Sequence, residues 1–207
     1  MCPKDVSLEM IADLNRHNYD ISNVHEFYTL TCTLDDNSVK ILLNWLPMLS
    51  SSDVDNQYKS DIVAFLHRKK RRGVDLNVII NVFSHEDNNE IRWDYANVIH
   101  KYANKKHVDK ILDIVVKKHF GTSRKLLVTA LGRQQMKSDA TISTLISLLN
   151  DDDVYVYAID SLGKLGDRRA IEHIKQFYSH DNKAVRKLAL KTVLKIEGSK
   201  NESSAKT

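Results

Sequence analysis

The sequence predicts an all-α fold, an α-solenoid of about six stacked helix pairs, and three observations predict it. Apolar residues in the C-terminal half recur at helical spacing. That pattern returns every 31 residues. Glycine and proline are scarce, 6 and 2 in 207 residues, too few for the turns of a β-sandwich or barrel.

The repeat is read directly from the residues. A shift of 31 residues lays Val154, Ala158, Leu162 and Leu165 on Val185, Ala189, Val193 and Ile196. One period earlier, Leu131-Gly132 falls on Leu162-Gly163, and two periods place Arg124-Lys125-Leu126 on Arg186-Lys187-Leu188. An upstream copy runs from Ile91-Arg92 to Tyr102. The match is imperfect, since Thr129 meets Lys191 rather than Thr192. Within a copy the apolar steps of 4, 4 and 3 mark one face of a helix.

Element by element, helices are expected near 5–17, 22–33, 36–49, 55–70, 74–84, 89–103, 106–118, 123–134, 139–149, 153–165, 168–179 and 183–197. Val154-Tyr155-Val156-Tyr157 alone would favour a strand. The repeat register assigns it to a helix, with Asp151-Asp152-Asp153 expected to accept free N–H groups at its start. Gly163 and Gly166 read as a helix stop and Asp167 as the next cap. No Pro-, Gly- or Ser-rich linker divides the chain, although 49–53 reads as an inter-repeat loop. The expectation is one domain over 1–197, clearest in 89–197 and divergent in 1–88, followed by a polar tail at 198–207.

A resemblance follows from these residues. Asp151-Asp152-Asp153-Val154, Ala158 and the run from Ser161 to Ile171 resemble a HEAT repeat of the short kind found in phycobilisome-lyase proteins. That family opens its second-layer helix with Val-Arg. Val185-Arg186 matches it, Ile91-Arg92 and Ser123-Arg124 match in part, and Tyr155 stands where an Arg is expected. The resemblance implies inner helices lining a concave groove. It leaves function open, because such solenoids serve as scaffolds, lyases, DNA-repair enzymes and inhibitors.

Charge is unevenly spread. Residues 1–66 carry a net −6, 67–137 a net +9 and 138–207 a net +1, within a whole-chain charge of +4. The basic middle includes Arg68-Lys69-Lys70-Arg71-Arg72, Lys105-Lys106, Lys117-Lys118 and Arg124-Lys125. Three readings stay open: a solvated face, a surface for an acidic protein, and a surface for nucleic acid.

The residues expected to bind a partner are Arg92, Trp93, Arg124, Lys125, Tyr155 and Arg186. Arg92, Arg124 and Arg186 recur at the first turn of the inner helices, where they could meet carboxylates or phosphates. Pairing with nearby loop acids such as Glu90 or Asp181 is the structural alternative. Trp45, Trp93, Tyr95, Tyr155 and Tyr157 supply aromatic surface of the kind found at binding hot spots, or simply pack between repeats. Trp93-Asp94-Tyr95 is the one adjacent set that suggests the groove of HEAT-like alkylpurine DNA glycosylases.

Enzyme and metal signatures are missing from the sequence. The nine histidines show no H-E-x-x-H spacing, and there is no P-loop, G-x-G-x-x-G or G-x-S-x-G. Cys32 is expected in the core. No catalytic residue, cofactor or metal ligand is therefore expected. No apolar run is long enough to span a bilayer, and Met1 to Asp5 do not open a signal peptide. Two cysteines suit a reduced, cytoplasmic setting. The expected function is a non-catalytic protein-binding scaffold or adaptor that uses the concave face of the solenoid, by analogy an inhibitor or immunity-type protein. Its partner is another protein, for which an acidic surface is one of the readings left open by the charge pattern. The alternative is a nucleic-acid-binding enzyme of the glycosylase type. A lyase activity follows from the resemblance alone, without residue support.

Overall fold

The computed structural model describes residues 6–23, 26, 27, 29, 34–68 and 72–198. It is helical, and no strand occurs among the described residues. The chain divides into two compact units, Met1–Tyr102 and Ala103–Thr207.

The first unit contains α1 (Val6–Arg16), α2 (Ser38–Trp45), α3 (Asp53–Arg68), α4 (Leu76–His85) and α5 (Asn89–Tyr102). α1 packs on α2, while α3 and α4 both pack on α5. The reason is the apolar spacing. Tyr58, Ile62, Phe65 and Leu66 form the buried stripe of α3, and Ile91, Tyr95, Val98 and Ile99 form that of α5. Polar groups fix the joints. The Trp45 indole Nε1 donates to Asp13 Oδ2 at 2.8 Å, tying α2 to α1. The Tyr102 hydroxyl donates to the Leu66 carbonyl at 2.8 Å, tying α5 to α3. Asp75 caps α4 by accepting from the Asn77 N–H.

The second unit contains α6 (Val108–Val115), α7 (Arg124–Leu131), α8 (Asp139–Ser147), α9 (Tyr155–Leu165), α10 (Ile171–Lys175) and α11 (Lys183–Gly198). α9 packs against α7 on one side and α11 on the other, and α6 packs on α8. α7, α9 and α11 thus stack in one row, and α6, α8 and α10 each pack against their partner in that row, with 3₁₀ turns between them. A lone helix pair leaves its apolar side wet, so the neighbouring pair must cover it. Leu131 and Leu162, at matching places in the repeat, are fully buried by this stacking.

Glycine permits the closest approaches. A Cβ on Gly132 of the α7 end would lie 2.9 Å from the Ser161 Cα, and one on Gly163 of α9 would lie 2.7 Å from Thr192 Cγ2. These joints are one period apart, so the same contact recurs along the layer. Gly163 is thus an interior packing residue and not the helix stop that its sequence context suggested. The stop is Gly166, at φ 66°, in the left-handed region where a side chain is strained.

Helix positions agree with the sequence reading within a few residues, with two differences. The expected helix at 168–179 is a short α10 flanked by 3₁₀ turns at Arg168–Ala170 and Gln176–Ser179. The expected helix at 22–33 falls largely on residues outside those described, as do Cys32, Lys69, Lys70, Arg71 and the tail after Gly198.

Candidate functional site

The recurring arginines are clamps for loops. Arg92 is buried on α5; its Nε donates to the Glu86 carbonyl at 2.9 Å and its Nη1 to Asn89 Oδ1 at 2.7 Å. Arg186 at the start of α11 donates to the His180 carbonyl at 2.5 Å and the Asp181 carbonyl at 2.8 Å. Both therefore hold the carbonyl six residues earlier. Arg186, expected to pair with the Asp181 carboxylate, uses the Asp181 carbonyl instead, because a planar guanidinium at the first turn reaches the carbonyls of the entering loop.

Arg124 at the start of α7 goes further and is wholly buried. Its Nε donates to the Gly121 carbonyl at 3.0 Å, and its Nη1 to the Val115 carbonyl at 3.0 Å and Asp151 Oδ2 at 2.8 Å. Its Nη2 donates to Asp151 Oδ1 at 3.2 Å and Asp153 Oδ2 at 3.1 Å. Five donors meet five acceptors, as a buried guanidinium requires. Arg124 holds the Asp151 carboxyl below its ordinary range, chiefly by hydrogen bonding. The Asp151 and Asp153 carboxylates thus serve Arg124 of the preceding repeat. At the start of α9 the Asp151 carboxylate also accepts the Asp153 N–H at 3.2 Å, while its carbonyl accepts those of Val154 and Tyr155.

The outward side of the α7-α9-α11 layer presents a different surface. Leu126, Tyr157 and Leu188 occupy one repeat position on the three helices. Tyr157 is 37% exposed, and the two leucines are half-buried. Lys125 Nζ lies over the Tyr157 ring, 5.7 Å from its centre. Lys164, Lys187, Lys191 and Lys195 are exposed on the same layer, with Asp160 pairing to Lys164 at 2.7 Å. An apolar row bordered by lysines can dock an acidic surface with apolar residues at its centre.

Tyr155 lies apart from that row. It lines a cleft of about 440 Å³ with Asn150, Asp152, Gln176, Phe177 and His180. Its ring stacks on Phe177 at 5.5 Å with an interplanar angle of 5°.

In the first unit, Trp93 is 38% exposed on α5 and Tyr95 is fully buried. Asp94 is half-buried, and burial with the nearby Glu90 charge raises its carboxyl above the usual range. It borders a cleft of about 280 Å³ that also holds Asp53 and Glu90. Three carboxylates there oppose a phosphate backbone. A second cavity of about 70 Å³ touches Lys59, Glu86 and Tyr95. Lys59 Nζ pairs with Glu86 Oε2 at 2.8 Å, both nearly inaccessible, and the Tyr95 hydroxyl has no hydrogen-bond partner among the described residues.

Of the six residues expected from sequence, the structure sets Lys125 beside Tyr157 and Tyr155 beside Phe177 and His180. It buries Arg124 and engages Arg92 and Arg186 with their own loops. The row formed by Leu126, Tyr157 and Leu188 was missed as a unit, although the 31-residue register that reveals it is visible in the sequence. No group of His, Cys, Asp and Glu side chains suited to a metal ion occurs among the described residues. No described helix is long and apolar enough to cross a membrane.

Neither the curated proteins nor the solved structures give a significant match to the chain. The family model for the PBS lyase HEAT-like repeat matches residues 154–180, which span α9, α10 and the turn that follows. The α9-α10 pair is therefore similar to a PBS lyase HEAT-like repeat, within a chain whose described residues are all-α.

Proposed function

We propose that this protein is a non-catalytic binding scaffold that docks another protein on the outward side of the α7-α9-α11 layer. The observation that carries the reading is the row Leu126-Tyr157-Leu188, bordered by Lys125, Lys187 and Lys191. A half-exposed tyrosine among leucines is a hot-spot composition, and it costs little ordering entropy when its helix is already packed. The lysines favour a partner with an acidic surface and accelerate encounter. Trp93 belongs to the same proposal as exposed aromatic surface on the first unit. Arg92, Arg124 and Arg186 act indirectly by holding the loops that set the helices.

Single-domain behaviour over 1–197 and a cytoplasmic setting belong to this proposal too. The setting rests on cysteine usage. An inhibitor or immunity-type role remains an analogy within it. The glycosylase-type alternative draws no support from the arginines, which are engaged internally, or from the acidic cleft beside Asp94.

A photocrosslinker at position 157 should capture the partner, and one at Ser143, exposed on α8, should not. Tyr157→Ala should weaken that complex at least tenfold, about 1.4 kcal/mol. Lys125→Glu with Lys187→Glu should slow association and reduce its salt dependence. Equal capture from both positions, or binding unchanged by all three substitutions, would contradict the proposal.

A further inference from the structure

The Tyr155 cleft has a chemistry unlike that of the lysine-bordered row. Asp151, Asp152 and Asp153 are consecutive, and Arg124 engages the first and third. Asp152 is exposed, lines the cleft and makes no ion pair among the described residues. No lysine or arginine among the described residues lines the cleft with it. The wall is aromatic. Tyr155 and Phe177 stack in parallel, and the His180 ring lies 5.6 Å from the first and 6.1 Å from the second.

Hydrogen bonds fix that wall. The Asn182 N–H donates to His180 Nδ1 at 3.0 Å, which leaves the ring proton on Nε2, 3.3 Å from the Tyr155 oxygen. The Tyr155 oxygen can accept there while its own O–H turns towards the cleft. Asn150 and Gln176 add exposed amide oxygens.

One carboxylate, aromatic faces and amide oxygens, with no lysine or arginine among the described lining residues, favour a positive ligand over a negative one. We infer that the cleft is a receptor for a guanidinium group, which pairs with Asp152 and lies against the aromatic wall. A guanidinium suits it better than an ammonium, because its plane can stack while its edge meets a carboxylate through two N–H groups. The group could belong to an arginine side chain of a protein or to a free guanidino compound. The inference does not depend on the Leu126-Tyr157-Leu188 row.

The test is a titration of the full-length, isotope-labelled protein with N-acetyl-L-arginine methylamide, followed by NMR. Saturable shifts should centre on Asp152, Tyr155 and Gln176. Asp152→Asn, at an exposed position, should weaken binding about tenfold, and Tyr155→Leu should weaken it while Tyr157→Ala leaves it unchanged. The matching lysine derivative should bind less tightly. Free L-arginine separates the two sources: tighter binding than the blocked form assigns the cleft to the free compound, equal or weaker binding to a side chain. Shifts no more localised than those from sodium chloride at the same ionic strength would overturn the inference. So would unchanged affinity in Asp152→Asn.

Discussion

Arg124→Ala is expected to destabilise the protein by about 3–5 kcal/mol, measured by denaturant unfolding. The substitution strands the buried Asp151 carboxylate and removes the donors that satisfy the Val115 and Gly121 carbonyls. Arg124→Lys should recover little, because an ammonium offers three donors from one point where the site presents acceptors on several sides. Pairing the change with Asp151→Asn should return part of the loss, since no unpaired charge then remains. The sign of the pH dependence follows from Asp151. Its folded pKa lies below the unfolded value, so the stabilisation is complete above the unfolded carboxylate range. It fades as pH falls through the folded value. Wild type should therefore lose stability more steeply than Arg124→Ala on acidification below about pH 4. Parallel acid profiles would show that the clamp contributes nothing.

Leu162→Ala should cost about 2–5 kcal/mol. Leu162 is fully buried on α9, the helix that packs on both α7 and α11. Truncation leaves a void that neither neighbour can readily fill, because the Gly132 and Gly163 contacts already set their spacing. Equilibrium unfolding with an unchanged m-value would report a loss of packing alone. A change below about 0.5 kcal/mol would place the residue outside a tightly packed joint.

The sequence made the helices of the second unit legible because each repeat carries a buried stripe at regular spacing, as in Val154, Ala158, Leu162 and Leu165. Tertiary demand hid other features. Gly163 looks like punctuation in one dimension, yet its place is decided by Thr192 from the next repeat. The aspartates before α9 look like a cap for their own helix. Their main partner, Arg124, lies 27 residues before Asp151, beyond any local rule. Arg92 and Arg186 carry the local signal of a binding row, but side-chain patterns do not reveal backbone carbonyls as acceptors. The Leu126-Tyr157-Leu188 row needed the helices to be laid side by side. Asp152 could be singled out only once the partners of Asp151 and Asp153 were known.

The central claim is that successive repeats stack in one register, and a disulfide trap tests it most directly. A Cβ on Gly163 would sit 3.5 Å from Thr192 Cβ, at the lower edge of the range for a disulfide. With Cys2 and Cys32 replaced by serine, Gly163→Cys and Thr192→Cys together should close an intramolecular bond under mild oxidation, seen by mass spectrometry. Free thiols in a folded, oxidised double variant would contradict the stacking of α9 on α11.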